Sequence, residues 1–439
     1  MENIFLLNLG CAKNLVDSEI MLGFLEKEGF RQTHYPERAD LAIVNSCAFI
    51  QEAKQESIDA IFDLVKLKNK GRLKKIIVAG CLPSRYNVRL SRLLPEVDAF
   101  LGPGDIDKIC QIIRASLSGQ NLFLAGAGHY LYSPRTPRKM QTPRHYAYVK
   151  IADGCNNRCS YCVIPKIRGD YKSRPMESIV KEAVFLAERG VKEINLISQD
   201  TTFYGYDCYG DYKLEVLLKK LVKIKKLRWI RILYTHPRHL TKNILDIISR
   251  EPKICNYIDL PIQHISGNIL KLMRRRVTAC FIKRLIDEVR QIIPNVALRS
   301  TLIVGFPQEE ERDFRELYDF VRKIRFERLG LFKYSQEEDT AAAALAKQVP
   351  DKVKESRYRK IMLLQQKISQ QINRSFIGKD MEVMIEKSDR HGLALARSRY
   401  DAPDIDQLVY VKGRNLKAGD LIGVRISGAS SYDLLGERI

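Results

Sequence analysis

The stretch that decides the fold lies at residues 153–162 and reads Asp153-Gly154-Cys155-Asn156-Asn157-Arg158-Cys159-Ser160-Tyr161-Cys162. Its cysteines follow the spacing Cys-x3-Cys-x2-Cys, with no fourth cysteine nearby. Four thiolates would complete the protein ligands of an iron–sulfur cluster, as in ferredoxins. Three leave one iron open, and an open metal position is typical of a reactive site. A structural zinc site is the alternative, although such sites usually supply four ligands.

A second set of three cysteines is dispersed along the first 81 residues but shares one sequence context. Cys11, Cys47 and Cys81 each come one to three residues after a predicted strand. Parallel strands end at the same edge of a sheet, so these thiols are expected to converge there. Helical patterns follow Cys11 and Cys47, and helix N-termini stabilise thiolates. The arrangement predicts a second three-cysteine cluster, with three buried and inert cysteines as the alternative.

The chain reads as an α/β protein of several domains. Residues 1–125 alternate apolar runs with helical patterns, which predicts a Rossmann-like parallel sheet with strands at 4–8, 41–45, 75–79 and 99–101. Residues 126–145 are basic and proline-rich and read as a stiff, solvated linker. Residues 146–373 contain six strand–helix units, which fit a partial (βα)6 barrel of the TIM type. Residues 374–439 contain short strands that suit a small OB-like β-barrel.

Charge and composition limit the class of protein. The formal net charge of +22 favours an anionic partner such as tRNA or a ribosome, with a generally basic surface as the alternative. No long apolar run indicates a membrane span, and the N-terminus does not resemble a signal peptide. Ten cysteines without an export signal favour reduced thiols and metal ligation. We therefore expect a cytoplasmic protein.

Together, these motifs resemble those of the methylthiotransferase family of radical S-adenosylmethionine (SAM) enzymes. The resemblance rests on both cysteine sets, on Pro261-Ile262-Gln263-His264 and on Gly305-Phe306-Pro307. It covers essentially the whole chain and implies an N-terminal methylthiotransferase domain, a radical SAM core and a C-terminal TRAM domain. The chain departs from the family at Gln308, where the family has glycine, which puts the local turn in question.

The resemblance also implies the cofactors and their roles. One [4Fe–4S] cluster would be held by Cys155, Cys159 and Cys162, bind SAM through its open iron and cleave it to a 5′-deoxyadenosyl radical. An auxiliary [4Fe–4S] cluster on Cys11, Cys47 and Cys81 would present sulfur to the substrate radical, and a second SAM would donate the methyl group. The further residues expected near SAM or substrate are Tyr161, Gln199, Asp200, Gln263 and Gly305.

Core packing or loop capping explains any one of those further residues about as well. The same holds for His264, which we expect to be structural. The basic run Arg274-Arg275-Arg276 fits a solvated helix end, with a contact to rRNA or a carboxylate as the alternative. Cys110, Cys208, Cys255 and Cys280 lack the clustered context and read as structural.

The family has two main branches, one modifying a tRNA adenosine and the other an aspartate of the twelfth small-subunit ribosomal protein. Residues 375–439 contain 10 Lys+Arg and 10 Asp+Glu, so the predicted TRAM domain lacks the basic excess of an RNA-binding module. Three carboxylates in the segment Asp401-Ala402-Pro403-Asp404-Ile405-Asp406 are expected to repel phosphates and to favour a basic protein surface. This segment and residues 334–340 also resemble the ribosomal-protein branch, which we therefore favour.

That branch implies the partners. The substrate would be the ribosomal protein, near rRNA or within the assembled small subunit, and the electron donor a protein such as a flavodoxin. We expect a monomer. The alternatives are the tRNA methylthiotransferase and a non-enzymatic iron–sulfur protein that binds RNA or carries electrons, although a carrier normally saturates its irons with four cysteines.

Overall fold

The first unit of the protein is a six-stranded parallel sheet flanked by helices. The structure is a computed structural model and describes residues 2–126, 128–389 and 392–439. The elements of this unit are β1 (Asn3–Asn8), α1 (Ala12–Lys27), β2 (Arg31–Thr33), β3 (Leu41–Ser46), α2 (Gln51–Asn69), β4 (Lys75–Gly80), α3 (Cys81–Tyr86), α4 (Arg89–Leu93), β5 (Ala99–Leu101), α5 (Ile109–Leu117) and β6 (Phe123–Leu124). The strand order is β2-β1-β3-β4-β5-β6, with every neighbouring pair parallel.

The predicted parallel sheet is therefore confirmed, including its four central strands. The central strands β3 and β4 are apolar and buried on both faces, which is typical of parallel strands covered by helices. Sequence patterns did not reveal β2 and β6 at the two edges. These strands have three and two residues, which is too short for an alternating pattern to appear.

The second unit is the partial barrel, built from six parallel strands in two three-stranded sheets. Its elements are β7 (Tyr146–Lys150), β8 (Ala152–Asp153), α6 (Ile164–Arg168), β9 (Lys172–Ser173), α7 (Met176–Glu188), β10 (Glu193–Ile197), α8 (Tyr206–Tyr209), α9 (Leu214–Leu221), β11 (Trp229–Ile232), α10 (Lys242–Arg250), β12 (Tyr257–Asp259), α11 (Gly267–Leu272), α12 (Ala279–Ile292), β13 (Ala297–Val304), α13 (Glu311–Ile324), β14 (Arg328–Lys333) and α14 (Asp351–Arg374). The sheets have the orders β11-β10-β7 and β12-β13-β14. All six predicted strands form, and both sheets pack against helices through one apolar core.

The third unit is a closed five-stranded barrel that follows α14. Its strands are β15 (Asp380–Ser388), β16 (Leu393–Ser398), β17 (Val409–Lys412), β18 (Leu421–Ala429) and β19 (Leu434–Arg438), closed in the order β15-β16-β17-β19-β18. This confirms the predicted small β-barrel and adds β19, which the sequence reading omitted. Closure of the barrel pairs the backbone N–H and C=O groups that open sheet edges would leave unpaired. It also explains how so short a segment forms its own core.

The acidic segment of the third unit makes contacts within the protein, and of its three carboxylates only Asp404 is exposed, so the expected protein-binding surface is wrong for Asp401 and Asp406. Asp401 is buried and accepts a hydrogen bond from Arg328 Nε at 2.8 Å. Asp406 pairs with Arg299 at 3.0 Å, and Asp404 accepts hydrogen bonds from two tyrosine hydroxyls of β7 at 3.2 Å. The carboxylates thus dock the small barrel onto the N-terminal ends of the large barrel's strands. The sequence showed that these side chains are negatively charged, but it did not show that Arg328 and Arg299 pair with Asp401 and Asp406.

The proline-rich segment 126–145 also differs from the solvated linker that its composition suggests. Arg138 is nearly buried, and its guanidinium donates to Glu19 Oε2 and to Glu182 Oε1, the first through Nε at 2.8 Å and the second through Nη1 at 2.6 Å. Tyr132 is also buried. Because Glu19 lies on α1 and Glu182 on α7, this segment packs the first unit against the second. None of the helices in the described part of the chain is both long and apolar enough to span a bilayer.

Candidate functional site

The loop that carries the three-cysteine stretch begins with a glycine that no other residue could replace. Gly154 has φ +79°, and a Cβ at this position would lie 2.1 Å from the carbonyl oxygen of Asp170. The close approach lets Cys155 N donate to Gly169 O at 3.1 Å. Cys155 therefore lies directly after the first barrel strands, at the C-terminal end where barrel active sites form. Burial raises the pKa of its thiol to about 11.

The next cysteines of the loop are held by the segment that follows α11. Ser160 N donates to Met273 O at 3.0 Å, and Cys162 N donates to Cys159 O at 3.1 Å. The guanidinium of Arg275 is buried and lies 3.6 Å from Cys159 Sγ through Nη1. The expectation that this basic run is solvated is therefore wrong for Arg275, which is buried. Arg274 and Arg276 are exposed, as expected.

The second set of cysteines converges at the C-terminal edge of the first sheet. A Cβ built on Gly10 would lie 3.1 Å from Cys47 Sγ and 3.3 Å from Asn14 Nδ2. Cys81 Sγ in turn lies 3.8 Å from Asn14 Oδ1. The charges of Cys11 and Cys47 both act on the Cys81 thiol. The structure therefore brings together three thiols that are separated by up to 70 residues in sequence.

The environments of these three thiols differ. Burial acts to raise the pKa of Cys11, but the charges of Lys13 and Arg168 and the first N–H groups of α1 outweigh it and lower the pKa. The helix-terminus effect expected from sequence is thus present at Cys11. Burial instead raises the pKa of Cys47, and that of Cys81 to about 12. Iron ligation would supply the positive charge that deprotonates such thiols, so the donor set fits a cluster.

A buried ionic network joins the two cysteine sets. Arg168, six residues after Cys162, donates to Asp17 Oδ2 at 3.0 Å, to Asp153 Oδ2 at 3.0 Å and to Asn14 Oδ1 at 2.7 Å. Lys150 pairs with the same two carboxylates at 2.6 and 3.0 Å. Asp17 and Asn14 belong to α1, whereas Asp153 precedes Cys155. The network therefore fixes α1, and with it Cys11, against the barrel mouth.

The residues expected after the second barrel strand line the same mouth. Gln199 Nε2 donates to Asp153 Oδ1 at 2.9 Å. Its Oε1 is buried and has no hydrogen-bond partner within the described ranges. Asp200 accepts from Asn157 Nδ2 at 2.8 Å, which places it beside the cysteine loop. Burial acts to raise the pKa of Asp200, but hydrogen bonds, above all from His239, lower it to about 2. Asp200 is thus an anchored carboxylate.

Asp200, His236 and His239 resemble a metal site but do not form one. Their ligand atoms lie within 4.8 Å of one another. However, Arg238 N donates to His236 Nδ1 at 3.2 Å, and burial lowers the His236 pKa well below its ordinary value. The neutral ring must then carry its proton on Nε2, which leaves a donor and not a ligand atom. His236 Nε2 is a buried donor without an acceptor in the part of the chain that is described.

The motifs after the fourth and fifth barrel strands adopt strained turns. Gln263 has φ +69° and bridges to β13, where its N–H donates to Thr301 O at 2.9 Å and its carbonyl accepts from Ile303 N at 2.8 Å. Gly305 has φ +72°, and its N–H donates to Glu309 Oε2 at 2.7 Å. Gln308 has φ +68°, so this position retains the left-handed turn that glycine would adopt more easily. The departure from the family pattern therefore adds strain without changing the turn.

The other expected residues have ordinary surroundings. Tyr161 packs against a small apolar cluster that contains Phe306 and Tyr334, and burial raises the Tyr161 pKa. His264 is buried with Nδ1 accepting from Ser266 N at 3.0 Å, and burial lowers the His264 pKa to about 3. This is the structural role expected for it. Of the remaining cysteines, Cys255 is buried in the core and Cys208 and Cys280 are exposed.

Three functional candidates were not found by sequence reasoning, namely Lys13, Arg168 and Arg275. Each contacts the site through a residue more than 100 positions away along the chain. Lys13 lies two residues after Cys11, and Arg168 lies six residues after Cys162. Their nearness to the motifs was the available signal, but their direction and partners depend on the tertiary structure.

Three family models match the chain. The uncharacterized protein family UPF0004 matches residues 3–102, the radical SAM superfamily residues 149–321 and the TRAM domain residues 377–439. Among solved structures, a radical SAM methyltransferase, TsrM from Kitasatospora setae, aligns with a TM-score of 0.55 at 15% identity over 76% of this chain and 72% of that chain. At this identity the likeness concerns the fold alone.

Curated relatives match over nearly their entire length. A protein of Heliobacterium modesticaldum is 47% identical over 436 residues, covering 99% of this chain and 95% of the relative. A protein of Pelobacter propionicus is 48% identical over 439 residues, covering 99% of this chain and 98% of the relative. Both carry the name ribosomal protein uS12 methylthiotransferase RimO.

Proposed function

This chain belongs to the family of ribosomal protein uS12 methylthiotransferases, and we propose that it converts a specific aspartate of uS12 to 3-methylthioaspartate. The enzyme is a radical SAM transferase that uses SAM and [4Fe–4S] clusters. One SAM would serve as the radical source and a second as the methyl donor. The names of the relatives support uS12 as substrate and favour it over a tRNA adenosine.

The observation that carries this proposal is the placement of two three-thiol sets on either side of one buried ionic network. Arg168 contacts Asn14, three residues after Cys11, and Asp153, two residues before Cys155, so one network ties both thiol sets to the barrel mouth. Replacing an unactivated C–H bond by C–S–CH3 requires a radical and a sulfur source within reach of one carbon. No acid–base side chain performs that replacement directly, whereas cofactors can.

We assign Cys155, Cys159 and Cys162 to the cluster that binds SAM, and Cys11, Cys47 and Cys81 to the auxiliary cluster. When bound, the clusters supply the electron that cleaves SAM and the sulfur-transfer chemistry, respectively. The chain supplies position and charge. Arg275 donates to Cys159 Sγ, and the network around Arg168 keeps the two thiol sets in a fixed relation.

Several polar groups of the mouth fit a charged ligand such as SAM. Gln199 Oε1 is a buried acceptor, and His236 Nε2 and Arg275 Nε are buried donors, all three without partners among the described residues. Unpaired buried polar atoms are costly unless a ligand satisfies them. Asp200 offers an ionised carboxylate to an ammonium group, whereas the missing side chain of Gly305 makes room for Lys354. These contacts are our assignment for SAM binding.

The remaining partners follow from the proposed substrate. A ribosomal protein beside rRNA, or within the assembled small subunit, suits the net charge of +22. A flavodoxin-like donor would supply the electron. We propose a monomeric enzyme acting in the cytoplasm, where the substrate is found. The acidic segment of the small barrel plays no part in this choice, because Asp401 and Asp406 are used in docking.

The test offers both family substrates to one enzyme. Anaerobically reconstituted protein, SAM and a reductant are incubated with unmodified small ribosomal subunits or with unmodified tRNA, and each is analysed by mass spectrometry. We expect a methylthio group on an aspartate of uS12 and none on tRNA. The matched control is Cys159→Ala, which should modify neither. A methylthio group on tRNA adenosine alone would reject uS12 as the substrate while retaining the chemistry.

A further inference from the structure

Lys13 is a buried lysine without a carboxylate partner. Its side chain extends from α1, next to Cys11, and the residue is 7% exposed. Nζ donates to the carbonyl of Ser198 at 3.3 Å and lies 3.3 Å from the ring centroid of Tyr234. Within the described ranges no carboxylate forms an ion pair with it at 4.0 Å or less.

The lack of an ion pair is unusual for a cation in the same site, where the charges of Cys11, Asp153 and Asp259 act on Lys13 only from a greater distance. Lys150 is just as buried, but it pairs with Asp17 at 2.6 Å and with Asp153 at 3.0 Å. Removing an ammonium group from water costs several kcal/mol unless a counter-charge and hydrogen bonds compensate. One carbonyl and one ring face offset part of that cost for Lys13. An anionic group of a bound ligand would offset the remainder of this free-energy cost.

The position of the ammonium group indicates which ligand. Ser198 and Tyr234 follow β10 and β11, so Nζ lies at the C-terminal mouth of the barrel, while the Lys13 backbone belongs to α1, whose N-cap is Cys11. The ammonium therefore sits between the two cysteine sets. Tyr234 has φ +59°, a strained conformation for an aromatic residue, and such strain concentrates at functional sites.

We propose that Lys13 binds the side-chain carboxylate of the aspartate that is modified. The inference rests on the proposed function, because it assumes an aspartate substrate. That carboxylate is bonded directly to the reacting β-carbon, so anchoring it places this carbon between the two thiol sets. An asparagine or a nucleobase offers no anion there. Lys13 thereby distinguishes a protein carboxylate from the substrate of the tRNA branch.

The test compares aspartate with asparagine at the target position. Reconstituted wild type and Lys13→Met are given uS12 carrying either residue, and dissociation constants are measured with SAM but without reductant. Product formation is then measured with reductant. Met keeps the side-chain length and removes the charge. Lys70→Met, at an exposed lysine after α2, is the matched control.

We expect wild type and Lys70→Met to prefer aspartate by about thirtyfold to a hundredfold, as one charge-assisted hydrogen bond implies. In Lys13→Met the ratio of affinities for the aspartate and asparagine substrates should fall to about one. Iron content, cluster spectra and SAM affinity should be unchanged. A retained preference overturns the inference. So does a loss accompanied by lost iron, which would assign Lys13 to the auxiliary cluster, or by weaker SAM binding, which would assign it to the SAM carboxylate. If wild type modifies only tRNA, both this inference and the proposed substrate are rejected.

Discussion

Replacing Arg168 by methionine should loosen the contact between α1 and the barrel mouth. The guanidinium is buried and makes hydrogen bonds of 2.7 to 3.0 Å to Asn14, Asp17 and Asp153. Removing one partner of a buried ionic network costs about 3–5 kcal/mol. Lys150 still pairs with both carboxylates, so the cost should fall at the lower end, about 3 kcal/mol. That corresponds to roughly a hundredfold larger opening constant for α1.

Hydrogen–deuterium exchange of the reconstituted protein measures this opening directly. Amides of α1 (Ala12–Lys27) should exchange roughly a hundredfold faster in Arg168→Met, because local opening no longer breaks the lost bonds. Amides within the small barrel should not change. Arg284→Met, at an exposed arginine of α12, is the matched control and should leave all rates unaltered. Arg168→Lys should fall between the two, since lysine keeps the charge without the planar fork.

Unchanged exchange in α1 would refute the reasoning, because the network would then contribute nothing to docking. Faster exchange across the entire first sheet would also contradict it, since that result indicates a loss of the domain's own stability. Only a change confined to α1 and the segments it contacts at the mouth agrees with the structure.

Three further predictions concern the clusters, the docking of the small barrel and the SAM site. Cys159→Ala should abolish SAM cleavage, whereas Cys47→Ala should keep it and stop methylthiolation; each should lower iron from about eight to about four per chain by iron analysis. Asp406→Asn should weaken docking onto Arg299 by about 2 kcal/mol, seen as faster tryptic release of the small barrel, and equal release rates would show that the pair is dispensable. Glu309→Gln should raise the Michaelis constant for SAM about tenfold, because the turn at Gly305 and Phe306 loses the carboxyl group that accepts from both N–H groups; an unchanged constant would exclude Glu309 from positioning that turn.

Most of the elements could be predicted from the sequence, because their causes are local. The strands β3 and β4 are long enough for their apolar runs to be recognised, and their predicted bounds, 41–45 and 75–79, agree with the structure to within one residue. The edge strand β6 is too short for any such signal. Bounds and types of elements depend on neighbouring side chains, so a pattern along the chain contains the necessary information.

The two cysteine sets show how far positional reasoning extends. Cys155, Cys159 and Cys162 lie within eight residues of one another, so they could be grouped without knowledge of the tertiary structure. Cys47 and Cys81 could be grouped because parallel strands share an edge, which is a rule of topology and not of local pattern. The rule predicts that the thiols meet, but it does not supply the environment that lowers one thiol's pKa and raises the others.

The sequence by itself thus determined the three units, the two cysteine sets and the resemblance to radical SAM methylthiotransferases. Only the tertiary structure decided which charges are buried and with what partners. It assigned the acidic segment around Asp401 to docking, linked Arg168 to both cysteine sets and left Lys13 without a carboxylate. The physical reason is that a charge acts through space over a few ångströms, and decisive partners such as Asn14 for Arg168 and Arg328 for Asp401 lie more than 70 positions away in the chain.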